Sequence, residues 1–230
     1  MSESERPAPL LLQADAASLP IEDESVDVIV TSPPYNIGNR RWKTEWEATR
    51  RTGVLSHGAA REERYRVWQQ RVLSECYRVA SDGASLFYVH TVRISDGELM
   101  HPVEWLKSDE NPWLLRQEIV WDHGISSTRD ATLFRPGDER IYWLTKGQPD
   151  LPWGGIDMDS VWDFDPSRSE TRHPAPYPPQ LVKKCLRAVG TEGDVVLDPM
   201  GGSMTTCTAA ADMGYRSIGV DVNREFILED

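Results

Sequence analysis

Residues 194–223 read DVVLDPMGGSMTTCTAAADMGYRSIGVDVN. An apolar run through Leu197 leads into a glycine-rich turn, then a run of small helix-compatible residues, then a second apolar run ending in Asp221. That order is a nucleotide-type β-α-β half-unit, and it sets the expectation of an α/β fold. Gly201 and Gly202 allow a ligand to approach the backbone. Ser203, Thr205 and Thr206 open a helix whose amide end suits a carboxylate, and Asp221 suits ribose hydroxyls. Taken alone, such a turn occurs in many strand–helix junctions, so a second signal is needed.

That signal lies far upstream, where residues 28–38 read VIVTSPPYNIG. Ser32-Pro33-Pro34-Tyr35 directly follows an apolar run that includes Val26, Val28, Ile29 and Val30. A stiff turn, simple aromatic packing or a docking segment for a proline-reading domain would each account for Pro-Pro-Tyr by itself. The turn also supplies what is needed to grip an exocyclic amino group. Such an amine is a poor nucleophile because its lone pair is conjugated into the ring, so a catalyst must hold its N–H groups with acceptors and aim the lone pair at an electrophile. The Ser32 hydroxyl and the Pro33 carbonyl are acceptors, the two prolines stiffen the loop, and the Tyr35 ring offers a stacking face.

With both motifs in one chain, the sequence resembles the β class of amino-group DNA methyltransferases, in which the catalytic motif precedes the cofactor motif. TSPPY matches the catalytic motif of that family, and DPMGGSMTT resembles its DPFxGSGTT cofactor turn. The likeness covers nearly the whole chain. LQADAASLP (residues 12–20) resembles the acidic segment before the catalytic strand. FRPGDERIYWLTKG (134–147) is similar to a late F-x-x-x-x-E-x-I-x-x-x-x-K strand, and HPAPYP (173–178) to the segment before the cofactor half. One departure stands out: Met204 occupies a position where the family usually has glycine, which bears on cofactor affinity.

The resemblance implies a doubly wound, mostly parallel, Rossmann-like sheet of the S-adenosylmethionine-dependent type, circularly permuted, in a single catalytic domain over residues 1–230. It implies catalytic roles for Ser32, Pro33, Pro34 and Tyr35. Asp198, Pro199, Gly201, Gly202, Ser203, Thr205, Thr206 and Asp221 would bind S-adenosylmethionine, with Asp15, Thr31 and His173 as further candidates. The expected reaction is direct methyl transfer to the amino group of a base flipped out of double-stranded DNA, with no metal. Serine before Pro-Pro-Tyr favours cytosine N4 over adenine N6, although a hydroxyl can accept from either amine. Methylation of RNA or of a glutamine side chain, and a non-catalytic DNA-binding relative with Met204 blocking the cofactor, are the competing readings. A cognate restriction endonuclease and a homodimer are the further partners to consider.

Composition restricts the setting. The chain has 230 residues, enough for one sizeable α/β core, and it lacks an 18-residue apolar run. The start, MSESERPAPLLLQ, reads as a frayed tail and not as a signal peptide. Cys76, Cys185 and Cys207 have no metal-ligand spacing, and none follows proline as a C5-cytosine nucleophile would, so a reducing cytoplasm is expected.

The net charge of −12 is unusual for a protein that approaches a polyanion. Its distribution is uneven: residues 36–78 hold ten basic and five acidic side chains, so the rest carries −17. Arg40, Arg41 and Lys43, in a loop that also contains Trp42 and Trp46, are the expected DNA contacts. Arg66, Arg71 and Arg78 read as a solvated helix face. The residues 36–60 and 148–172 are the candidate recognition loops. Twenty arginines against five lysines, in an acidic chain, fit either a salty cytoplasm or a GC-rich genome.

Periodicity predicts strands at 26–31, 84–90, 117–122 and 139–145, and helices at 61–80, 101–107 and 179–189. Asp82-Gly83 is expected to stop the first helix, and Gly190 the last.

Overall fold

Side chains that alternate between two apolar faces build the centre of the molecule. In β3 (Ala80–His90), Leu86 and Tyr88 enter one core while Phe87 and Val89 enter the other. In β7 (Asp138–Thr145), Tyr142 and Leu144 lie opposite Ile141 and Trp143 in the same way. A strand with period-two burial on both faces must be covered on both sides, which makes three layers. The computed structural model describes residues 6–36, 59–95, 98–124, 133–149, 151–152, 157–164 and 177–227.

The remaining strands of the main sheet are β1 (Leu10–Gln13), β2 (Val26–Thr31), β6 (Leu114–Asp122), β8 (Val161–Asp163), β9 (Val195–Asp198) and β10 (Arg216–Asp221). Eight strands lie in the order β1-β10-β9-β2-β3-β7-β6-β8. All run in one direction except β7, which is antiparallel to both of its neighbours. A small separate hairpin pairs β4 (Arg93–Ser95) with β5 (Glu98–Met100).

One face of the sheet is covered by α1 (Ala59–Val79), which buries Tyr65, Val72, Leu73 and Cys76, and by α2 (Val103–Leu106), which buries Trp105 and Leu106. The other is covered by α3 (Pro179–Val189) and α4 (Thr205–Asp212). Proline opens α3 at its first turn, and Leu181, Val182, Cys185 and Leu186 form its buried stripe. Each such aliphatic side chain stabilises the fold by about 1.5–3 kcal/mol. A short α5 (Arg224–Ile227) follows β10.

The expected α/β architecture and its main elements are present, with several differences. Asp82-Gly83 does not stop the helix: α1 passes directly into β3, and the pair forms an irregularity inside the strand, with Gly83 at φ 81° and its amide bonded to the Lys146 carbonyl at 2.8 Å. The cause is Ala80, which is fully buried and already pairs with Val26 before the register shifts. Strands β1, β4, β5 and β8 have three or four residues, too few to show a period. The strand β8 falls within 148–172, where a loop was expected. Arg66 and Arg78 are not simply a solvated helix face. Arg66 pairs with Glu104 and Glu62, and Arg78 with Asp23 and Glu75 while also donating to the carbonyls of Leu19 and Ile21. Arg71 is exposed, as expected.

Candidate active site

From β9 the chain moves outward to β10, and from β2 it moves outward the other way to β3. The gap between the carboxyl ends of β9 and β2 is therefore the switch point of the sheet, where an open α/β fold places its ligand. Ser32-Pro33-Pro34-Tyr35 leaves β2 at this edge, and the 198–204 turn leaves β9 beside it. Thr206 Oγ1 donates to the Val30 carbonyl at 3.3 Å and so ties the two motifs together.

In the first turn, Pro33 is buried and Ser32, Pro34 and Tyr35 are half-buried. Ser32 Oγ donates to Tyr35 Oη at 3.1 Å, and Tyr35 Oη donates to Glu139 Oε2 at 2.7 Å. Glu139 reaches this edge because β7 is reversed, which brings the start of that strand, not its end, to the carboxyl side of the sheet. Burial, reinforced by the Glu139 charge, pushes the Tyr35 phenol well above its ordinary value, so it stays a neutral donor. Burial also raises the Glu139 carboxyl, partly offset by the Tyr35 hydrogen bond and by His123.

Tyr35 rests on the His90 ring, with centroids 4.7 Å apart. His90 is fully buried, and burial lowers its pKa to about 3, so it is neutral. Its Nδ1 lies 2.7 Å from the Thr91 carbonyl, which can only accept, so Nδ1 carries the hydrogen and Nε2 accepts from Tyr65 at 2.6 Å. Beside this stack, Arg93 is 5% exposed and donates to both oxygens of Glu62, at 3.0 and 2.9 Å. It also donates to the Asn36 carbonyl at 3.1 Å, while Asn36 Nδ2 donates to Glu62 at 2.9 Å. Burial alone would raise the Glu62 carboxyl, but Arg93, helped by Asn36 and Arg66, holds it below the usual carboxylate range.

At the second turn, Asp198 is 1% exposed and its oxygens are occupied: Oδ1 by the Met200 amide at 3.1 Å, Oδ2 by Tyr177 Oη and Thr206 Oγ1, both at 2.8 Å. Tyr177 and Thr206 also contact each other closely. The buried Thr31 hydroxyl faces Asp198 but falls short of a full hydrogen bond. Burial raises the Asp198 carboxyl and these donors pull it back. Pro199 and Gly201 are buried, and the Gly201 amide donates to the Val220 carbonyl at 2.8 Å. Gly202, at φ 50°, donates to Asp221 Oδ2 at 3.0 Å, and the Asn223 amide donates to Asp221 Oδ1 at 2.7 Å. Half-buried Asp221 is raised by burial, against the pull of these amides. The Ser203 and Thr205 hydroxyls bond each other at 3.0 Å at the start of α4, and both residues are half-buried.

Met204 is left-handed, φ 57° and ψ 25°, yet only 8% exposed. Its sulfur occupies the space that a Cβ on Gly201 or Gly219 would need, so the side chain folds beneath the turn, against β10. Asp15 is exposed at the same edge and accepts from the Ala17 amide at 2.9 Å. His173, Arg40, Arg41 and Lys43 lie outside the described residues, as do most of the two candidate recognition loops.

Several residues of the site carried no assignment from the sequence. Glu139 and Tyr177 lie within quoted family-like stretches, which was the available signal. Glu62, His90 and Arg93 come from distant segments and left no local one. The three cysteines are free and buried. Among the described residues no helix is long and apolar enough to cross a membrane.

An open, mostly parallel sheet with a glycine turn and a Ser-Pro-Pro-Tyr turn side by side at its switch point defines a Rossmann-like methyltransferase. Solved structures share the fold. The PvuII DNA methyltransferase (cytosine-N4-specific) superposes with a TM-score of 0.74 at 16% identity, covering 96% of this chain and 86% of that one. A DNA modification methylase of Thermus thermophilus, solved with S-adenosyl-L-methionine, gives 0.67 at 21%, covering 95% and 90%. Among curated proteins, the type II methyltransferase M.ScaI of Streptomyces caespitosus is 26% identical over 95% of this chain and 78% of its own length. The DNA adenine methyltransferase YhdJ of Escherichia coli K12 is also 26% identical, over 90% and 75%. The DNA methylase family model (N6_N4_Mtase) matches residues 26–229, and the chain belongs to that family.

Proposed function

We propose that this DNA methyltransferase transfers the methyl group of S-adenosylmethionine to the N4 amino group of a cytosine turned out of double-stranded DNA. The observation that carries the reading is the direction of the hydrogen bonds at the first turn. The Ser32 proton is given to Tyr35, so the Ser32 lone pairs are left to accept an N–H from a base. Pro33 adds a carbonyl, and the half-buried Tyr35 ring, backed by His90, is the stacking face.

The residues at the second turn fit the cofactor. The Ser203 and Thr205 hydroxyls at the start of α4 suit a carboxylate, Gly202 has the backbone that a close approach needs, and Asp221 suits ribose hydroxyls. Asp198, Pro199, Gly201 and Thr206 hold this turn in shape, with Tyr177 as a partner, and Thr31 braces it from β2. Asp15 and His173 are further candidates to line the pocket. When bound, S-adenosylmethionine supplies an activated methyl group on a sulfonium, so the chain's task is alignment. Met204, turned under the turn, leaves that surface open, which favours an enzyme over a cofactor-free relative.

Adenine N6 is the second reading, and the likeness to an adenine methyltransferase favours it. In either case Arg40, Arg41 and Lys43 would hold phosphates beside the extruded base, and residues 36–60 and 148–172 would read the sequence. We take the chain as one cytoplasmic catalytic domain whose motif order is a circular permutation. It would act as a homodimer or beside a cognate restriction endonuclease.

Mass spectrometry of nucleosides from DNA incubated with labelled S-adenosylmethionine tests this. Labelled N4-methylcytosine is expected, lost in Ser32→Ala. Labelled N6-methyladenine would keep the enzyme and change the base. Cofactor binding without either product would exclude DNA as the substrate.

A further inference from the structure

We propose that Glu139 is a positioning residue that fixes the polarity of the chain Ser32 to Tyr35 to Glu139, and that it is the final acceptor of the proton the amino group must lose. This rests on the reading of Ser32-Pro33-Pro34-Tyr35 as the turn that holds the amine.

The polarity follows from counting hydrogens. An ionised carboxylate has none, so Glu139 can only accept, and the single phenolic proton of Tyr35 is committed to it at 2.7 Å. Tyr35 Oη can then only accept from Ser32, at 3.1 Å, and the Ser32 proton is committed in turn. What Ser32 presents to a substrate is therefore lone pairs. Were Glu139 protonated and donating, each link would reverse, and Ser32 would present its own proton to the N–H groups it is meant to hold.

The same chain gives the departing proton a route. Transfer of a methyl group leaves the nitrogen with a positive charge and one proton too many. That N–H bond breaks with its electron pair staying on nitrogen, and the proton goes to Ser32 Oγ. The Ser32 proton moves to Tyr35 Oη, and the Tyr35 proton moves to Glu139 Oε2. The products are a neutral methylamino group and a neutral glutamic acid, which later loses its proton to water. No metal, oxidant or second reactant enters.

The charged and titratable groups around Glu139 leave it suited to this. Tyr35 faces it from the turn after β2, and His123 from the end of β6. On its own strand, Arg140 is engaged with Glu118 and Asp138. Burial holds the Glu139 carboxyl above its ordinary value, which makes it a better proton acceptor than a solvated glutamate.

Single-turnover transfer of labelled methyl to DNA, measured against pH, is the experiment. Glu139→Gln keeps the shape and can still bond Tyr35, but it cannot take up a proton or enforce one direction. Its rate is expected to fall about 10–100-fold, short of the 10²–10⁴ of a directly acting base, with KM for DNA unchanged. The wild-type rate should drop on acidification, at a pH above the usual carboxylate range, and this limb should vanish in Glu139→Gln. Tyr35→Phe breaks the chain while keeping the ring, and combined with Glu139→Gln it should be no worse than either single change. Glu139→Asp should recover part of the rate together with an acid limb, which a merely structural role would not give.

A Glu139→Gln enzyme with wild-type rate and pH profile, or a double variant whose losses multiply, overturns the relay alone. Wild-type protein that binds S-adenosylmethionine and transfers nothing to DNA overturns the functional reading, and the relay with it.

Discussion

Met204 holds a backbone conformation that costs a side chain about 1–2 kcal/mol, because its Cβ crowds the following carbonyl. The compensation is local. Its thioether fills the space left by the absent side chains of Gly201 and Gly219, so three positions far apart in sequence form one packing unit. Met204→Gly removes the strain and leaves a void, and for a buried methionine the void outweighs the strain. Urea unfolding should show a net loss of about 1–3 kcal/mol, with cofactor affinity changed only a few-fold. A more stable variant would mean that the side chain contributes nothing. The sequence made the departure at position 204 legible but not its direction, since that depends on β10 having a glycine at the matching place. Asp198 is similar. Its residue type pointed to a ligand contact, whereas its burial and full set of donors make it a brace, which only the assembled turn reveals.

At the level of elements, long-range polar contacts set the site more than local pattern does. Glu62 on α1 and Arg93 on β4 meet in the interior and hold Asn36, the residue after the catalytic tyrosine. Periodicity placed α1 within two residues at either end, because its buried stripe repeats over five turns. It could not show that Glu62, on the same helix, faces inward, because a charge reads as solvent-facing until its partner is known. The reversal of β7, which delivers Glu139, was likewise invisible, since strand direction is set by packing and not by composition. Removing one member of a buried ion pair leaves the other charge unmatched. Arg93→Met should therefore destabilise by about 3–5 kcal/mol, and adding Glu62→Gln should recover part of it. The pair also predicts a pH dependence. The Glu62 carboxyl lies lower folded than unfolded, so its contribution is present above the unfolded value and is lost as pH falls through the folded one. Denaturation profiles should show that acid limb weakened in Glu62→Gln, and an unchanged limb would assign it to other carboxylates.

For the molecule as a whole, the question is how a chain of net charge −12 approaches DNA. Much of its positive charge is spent internally: Arg6, Arg66, Arg78, Arg93, Arg140, Lys146 and Lys183 each face a carboxylate. The cations left to meet phosphates then centre on the stretch after the catalytic turn, where Arg40, Arg41 and Lys43 are the leading candidates. Each phosphate contact releases condensed counterions, so affinity should fall with salt by about 0.9 in log K per log salt for each contact. Replacing all three by alanine should weaken binding to every sequence alike and flatten the slope by about 2–3, as read by fluorescence anisotropy across a salt series. Because phosphate contacts carry no sequence information, methylation of the preferred site relative to others should be unchanged. A slope equal to wild type would move the DNA-facing charge to another part of the chain. A flattened slope with altered site preference would place at least one of the three against a base edge, where a bidentate arginine contributes about 1–3 kcal/mol of discrimination.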